Sequence, residues 1–132
     1  MSITFSVDGE PVPQPRARIT TRGKFPHAYV EAKNPIHAYR KAIQLAAVDA
    51  GLRPCTGLVV VEIDAVFVRP KSHLNKSGLK PTAPLAPLPD VDNLSKAVLD
   101  AIGPVIGNDK QVRRLVIEKR YGTEARTTVR VT

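Results

Sequence analysis

Leu58 to Val68 is the stretch that most restricts what this chain can fold into. Val59, Val61, Ile63, Ala65 and Phe67 fall on one side of an extended strand, and Val60, Glu62, Asp64, Val66 and Val68 on the other. A strand apolar on both sides belongs inside a sheet, with neighbours along both edges. Glu62 and Asp64 interrupt one side and are expected to be exposed or paired with basic residues, Asp64 being a secondary candidate for a metal site. Around this strand the other elements follow from periodicity. Ile3, Phe5 and Val7 alternate with polar residues and run into the turn Asp8-Gly9-Glu10. Asn34-Pro35 reads as a cap and first helical residue, followed by Ile36, Tyr39, Ile43, Ala46, Ala47 and Ala50 at helical spacing, with Gly51 as the stop. Arg40 and Lys41 lie off that stripe and are expected at the surface, as nucleic-acid contacts or as a solvated face. Val91, Leu94, Val98 and Ala101 mark a second helix, which Gly103-Pro104 is expected to end. Gln111 to Tyr121 and Ala125 to Val131 read as two strands joined as a hairpin near Gly122-Thr123.

This order of strand, helix, strand, helix, strand, strand predicts an α/β fold of the α+β type: one domain over residues 1–132, a mixed sheet with helices packed on it. A chain of 132 residues is long enough to bury a real core. No apolar run approaches the roughly 18 residues of a membrane span. The N-terminus opens directly on strand alternation without a signal-peptide pattern, which leaves the cytoplasm as the default compartment. One cysteine, Cys55, excludes an intrachain disulfide and a cysteine-based zinc cluster, and it reads as a small buried residue beside Pro54.

Two segments escape the periodic pattern, and both are basic. Pro11 to Val30 holds Pro11, Pro13 and Pro15 together with Arg16, Arg18, Arg22, Lys24 and His27, and no acid. The proline density forbids regular structure at its start. Ala65 to Pro89 is also free of acids, and its second part, 69–89, is a long loop carrying Arg69, Lys71, Lys76 and Lys80 among Pro70, Pro81, Pro84, Pro87 and Pro89. The whole chain carries 20 Lys and Arg against 12 Asp and Glu, a net charge of +8. Such a balance suits a polyanionic partner. The loops are then either phosphate-gripping arms or solvated surface.

Against that background the acids gather at 90–109: Asp90-Val91-Asp92-Asn93-Leu94-Ser95-Lys96, then Asp100, then Asn108-Asp109. A carboxylate cluster in a basic protein repels a polyanion unless metal ions lie between them. Asp92, Lys96 and Asp100 share a helix face, and Asp90 stands at the helix start. Asp109 follows the Gly107-Asn108 turn, and the loop after Gly103-Pro104 is expected to bring it back to that start. Three carboxylates there would offer hard oxygen ligands to Mg²⁺ or Mn²⁺, which lowers the pKa of a water and stabilises charge on phosphate oxygens. Lys96 would neutralise phosphate. The bland alternative makes Asp90 an N-cap, Asp92–Lys96 a surface pair and Asp109 a turn residue. His27, His37 and His73 are scattered, and none is an evident base.

The same residues resemble a known family. Pro89-Asp90-Val91-Asp92-Asn93-Leu94-Ser95-Lys96-Ala97, Asp100-Ala101 and Asn108-Asp109-Lys110-Gln111-Val112 are similar in type and spacing to the RusA-type Holliday-junction resolvases. The Pro-Val-Pro-Gln-Pro-Arg arm and Arg69-Pro70-Lys71 look like basic segments of many relatives. The resemblance implies a homodimeric, Mg²⁺-dependent endonuclease, with Mn²⁺ able to substitute, whose branched DNA partner is the four-way junction, cut at paired, symmetric positions. It implies Asp90, Asp92 and Asp109 as metal-binding and catalytic carboxylates and Lys96 as the functional lysine. DNA contacts are expected from Arg16, Arg18, Arg69, Lys71, Lys76, Lys80 and Lys119. Leu88-Pro89 departs from relatives with arginines before the first Asp, and Asn108 stands where some carry a second acid. The alternatives kept open are a non-catalytic nucleic-acid-binding relative and a nuclease for other branched DNA.

Overall fold

A computed structural model describes residues 2–16, 18–20, 23 and 26–132, with the side chains of residues 18, 20 and 27 outside that description. Four strands form the main sheet: β1 (Ile3–Asp8), β4 (Val59–Val68), β7 (Val112–Gly122) and β8 (Arg126–Val131), in the order β1-β8-β4-β7. As its two apolar sides require, β4 is internal. It runs parallel to β7, with Ile63 opposite Ile117, and antiparallel to β8, with Ile63 opposite Val129. β1 closes the other side by pairing antiparallel with β8.

The expected hairpin between the last two strands does not form. β7 and β8 take opposite edges of β4, and residues 123–125 cross over its end. Both edges of β4 carry unpaired backbone groups, and splitting the pair satisfies both. Gly122 makes the crossing possible, because a Cβ there would lie 2.6 Å from Val66 Cγ1.

Two helices, α1 (Ile36–Asp49) and α2 (Val91–Ile106), pack on one face of the sheet. Asn34 caps α1 by accepting the Ile36 N–H at 2.9 Å, and Gly51, at φ 98°, ends it while Leu52 N–H reaches back to the Ala47 carbonyl. Ile36 and Ile43 of α1, Val98, Ile102 and Ile106 of α2, and Val61 and Val129 of the sheet are all fully buried. Tyr39 ties α1 to β8 through a 2.6 Å hydrogen bond with Thr127, which is also fully buried, and burial pushes the Tyr39 phenol above its ordinary pKa. Among the described residues no helix covers the opposite sheet face. Its charges pair instead: Arg120 donates to both oxygens of Asp64 at 3.1 and 2.9 Å, and Arg130 lies 3.8 Å from Glu62. These hydrogen bonds hold the Arg120 guanidinium above its usual pKa and occupy both Asp64 oxygens.

Four further expectations are corrected. α2 runs through Gly103-Pro104 to Ile106, where Gly107 at φ 126° ends it. Gly103 lacks the Cβ that helps push the residue before a proline out of helical backbone, and Pro104 stands in the last turn, where its missing N–H and its ring disturb the fewest hydrogen bonds. The basic loops hold short hairpins: β2 (Arg18–Thr20) with β3 (His27–Tyr29), and β5 (Leu74–Asn75) with β6 (Gly78–Leu79), the latter preceded by a 3-10 turn at Lys71–His73. No proline falls inside any of these four short strands, so none loses a donor; Pro26 stands just before β3, where its missing N–H costs no ladder bond. Cys55 is exposed rather than buried, since the fold uses its backbone: its N–H donates to the Ile106 carbonyl at 3.0 Å. Arg40 is half-buried and faces Asp100 at 3.8 Å, a link between the two helices.

Candidate active site

α2 carries the acidic segment because Leu94, Ala97, Val98, Ala101 and Ile102 bury one side of it, which leaves Asp92 and Lys96 on the other. Asp90 precedes the helix with an extended backbone, and its side chain makes no capping hydrogen bond. Its carboxylate therefore stays open to a ligand. Asp92 uses one oxygen on the Asn93 N–H at 2.9 Å. Lys96 turns away from Asp92 and pairs with Asp100 at 3.3 Å, and Asp100 is shared with Arg40.

Asp109 opens a 3-10 turn, Asp109–Gln111, behind the far end of α2. A Cβ placed on Gly103 would sit 3.4 Å from both the Cβ and the backbone nitrogen of Asp109. Eleven residues of helix, about 16 Å of axial rise, separate the levels of Asp92 and Gly103. The expected return of Asp109 to the helix start therefore does not occur within one chain. Among the described residues no group of three or more His, Cys, Asp and Glu side chains lies close enough to hold a metal ion.

The chemistry of the donors nevertheless suits a hard cation. Asp90, Asp92 and Asp109 are exposed, and no ion pair engages them among the described residues. Carboxylate oxygens of this kind are the ligands Mg²⁺ and Mn²⁺ take alongside water and phosphate. Asp100, neutralised from two sides, is not available in the same way.

The predicted DNA-binding residues divide into two groups. Arg16, Lys71 and Lys76 are exposed, Lys80 is half-exposed, and none has a side-chain partner among the described residues. Arg69 and Lys119 are held inside the protein's own architecture. The Arg69 guanidinium stacks 4.0 Å over the Tyr121 ring, donates to the Pro84 carbonyl at 2.7 Å and lies 3.5 Å from His73 Nδ1. His73 meets the same ring edge-on at 5.9 Å. Lys119 Nζ donates to the Pro89 carbonyl at 2.9 Å, immediately before Asp90. The two basic residues thus fasten the long loop at Pro84 and Pro89 and fix where the acidic segment begins. The Gln14 N–H, donating to the Asn93 carbonyl at 2.9 Å, lays the proline arm beside the same helix turn. The Arg18 and His27 side chains, and Arg22 and Lys24 entirely, lie outside the described residues. His37 is occupied by the Glu31 carbonyl at 2.9 Å.

Sequence reasoning missed the contributions of Tyr121, Pro84 and Gln111. For Gln111 a signal existed: Asn108-x-x-Gln111 has capping-box spacing, and both halves of the box form.

Residues 8–132 match the family model described as Endodeoxyribonuclease RusA. The chain is also 33% identical over 138 residues to the Uncharacterized protein YqaN of Bacillus subtilis (strain 168), covering 98% of this chain and 94% of that protein.

Proposed function

We propose, for a chain that belongs to the RusA endodeoxyribonuclease family, a metal-dependent endonuclease that resolves four-way DNA junctions by paired phosphodiester hydrolysis. The family supports junction-resolving endonuclease action in general. The observation that carries the particular reading is the trio Asp90, Asp92 and Asp109, exposed and without an ion pair among the described residues of a chain of net charge +8. Asp64 and Asp100 are neutralised by lysine and arginine side chains, whereas these three, like Glu10 and Asp49, meet no cationic side chain among the described residues. Asp90 and Asp92 differ from Glu10 and Asp49 in standing two residues apart at one helix start, where their oxygens suit a cation delivered with phosphate.

Because one chain separates Asp92 from Asp109 by most of a helix, the reading includes a second copy. In a C2 dimer with the two α2 helices antiparallel, the Asp90–Asp92 end of each chain meets the Asp109 end of the other, so two equivalent sites arise from one contact. That symmetry suits a four-way junction, which presents two equivalent strands. Asp90 and Asp92 of one chain with Asp109 of a second copy would hold Mg²⁺, or Mn²⁺ in its place. The bound ion would supply Lewis-acid stabilisation of charge growing on the scissile phosphate. Lys96 reaches from the same helix face and offsets charge on a phosphate oxygen once the DNA draws it from Asp100. Lys71, Lys76, Lys80 and Arg16 grip the backbone without reading bases. Lys119 and Arg69 act at one remove, by holding Pro89 and the loop.

The test is to incubate the protein with a labelled four-way junction and a matched linear duplex, each with Mg²⁺ or EDTA. The reading expects Mg²⁺-dependent nicks in the junction and none in the duplex. Equal cutting of flaps, forks and junctions would move it to a general branched-DNA nuclease. Salt-sensitive binding with no cutting in either metal would make the chain a non-catalytic relative.

A further inference from the structure

The segment that presents Asp109 is fastened by one side chain. Gln111 Nε2 donates to the Cys55 carbonyl at 2.6 Å and to the Gly57 carbonyl at 3.0 Å, while its Oε1 accepts the Asn108 N–H at 2.9 Å. Asn108 answers by accepting the Lys110 N–H on its Oδ1 at 2.8 Å. One amide thus joins the loop leading into β4 to both ends of the turn that carries Asp109. The surrounding backbone is shaped around it. Gly107, at φ 126°, adopts a backbone that a side chain would strain, and a Cβ there would stand 2.8 Å from Gln111 Oε1, while Gly103 lies directly against Asp109. Asp109 itself contributes no side-chain hydrogen bond to this framework among the described residues, so its carboxylate is presented and not consumed.

We propose that Gln111 is a positioning residue for the metal site, holding the Asp109 carboxylate in place through the Asn108 backbone and the Cys55–Gly57 loop. This rests on the reading of Asp109 as a metal ligand. A carboxylate on an exposed turn otherwise samples many orientations, and each must be given up when it binds an ion. A turn locked at both ends removes most of that cost beforehand, the role that outer partners of metal ligands commonly play.

The test is Mn²⁺ binding to the DNA-free full-length protein, followed by electron paramagnetic resonance, with thermal melting recorded in parallel. Gln111→Leu keeps the approximate volume of the side chain and removes every hydrogen bond it makes, including a 3.5 Å contact from Nε2 to Cys55 Sγ, and it is expected to raise the Mn²⁺ Kd about tenfold. Asn108→Ala, which opens the other half of the box, is expected to act in the same direction. Asn108→Ser, which retains a capping oxygen, is expected to stay within about twofold of wild type. The Asn108 pair keeps the proposal testable if Gln111→Leu does not fold. Lower melting temperatures with an unchanged Mn²⁺ Kd in both Gln111→Leu and Asn108→Ala, while Asp109→Asn weakens binding, would reduce Gln111 to a structural role and leave the metal site standing. An unchanged Kd in Asp109→Asn would overturn the site reading and this inference with it.

Discussion

Mixing two inactive variants distinguishes a site shared between chains from one built within a chain. Asp92 and Asp109 stand at opposite ends of α2, about 16 Å apart along its axis by the rise per residue. Two carboxylates reaching toward each other recover about 5 Å of that, from side-chain bond lengths, whereas oxygens on one Mg²⁺ at about 2.1 Å from it lie no more than about 4 Å apart. Asp92→Asn and Asp109→Asn are each expected to bind a four-way junction like wild type and to cut it at least about a thousandfold more slowly, since on the proposed reading each would remove a ligand of the ion that organises charge at the phosphate. Co-refolded in equal amounts, they give about half mixed dimers by random pairing, each with one intact and one doubly altered site, so about a quarter of the wild-type site count returns. The assay is nicking of an end-labelled junction, with native mass spectrometry to confirm that mixed dimers form. Recovery of single-strand nicks supports the shared site. Mixed dimers present without recovered nicking would refute the reasoning and confine each site to one chain.

Other expectations concern the frame. Tyr39→Phe leaves the Thr127 hydroxyl without its partner in a fully buried position and is expected to cost about 2 kcal/mol, read by chemical denaturation, whereas adding Thr127→Val recovers most of the loss. The folded pKa of Tyr39 lies above its ordinary 10.0, so its contribution is complete below that pH and is lost as the pH climbs through the raised folded value. Alkaline denaturation curves of wild type should fall through that window more steeply than those of Tyr39→Phe. Lys76→Ala is expected to lower the slope of log Kd against log salt for junction binding by about 0.9, the signature of one phosphate contact. Arg69→Ala is expected to leave that slope unchanged and to speed proteolysis of the 70–89 loop, because its guanidinium is committed to Tyr121 and Pro84.

Much of the frame was legible because burial and periodicity carry the same information. β4 could be recognised as internal from apolar residues on both sides, and α1 from Asn34, its stripe and Gly51. The misread hairpin came from a local habit: adjacent strands with a short turn usually pair, and only the edges of β4, far away in sequence, override that habit. Pro104 misled because a proline usually stops a helix, and the exception depends on the glycine before it. The site divides along the same line. Asp90, Asp92 and Lys96 were legible as one helix start, but the placement of Asp109 depended on the length of α2, which the apparent stop at Gly103 shortened. Charge alone could not separate Arg69 and Lys119 from the exposed lysines, since a guanidinium seeking phosphate and one seeking a tyrosine ring and a carbonyl read alike. Cys55 looked like core because small apolar residues usually are, while here the backbone at that position does the structural service.

The most direct measurement of the central claim uses a supercoiled plasmid with an extruded cruciform, incubated with the wild-type protein and Mg²⁺ and resolved on a gel. Two cuts on opposing strands of one junction within a single encounter would turn the circle into linear DNA, and EDTA is expected to prevent it. Linear product is expected from the start of the reaction, with cuts mapping symmetrically across the cruciform base. Cruciform binding without cutting in Mg²⁺ and in Mn²⁺ would contradict it.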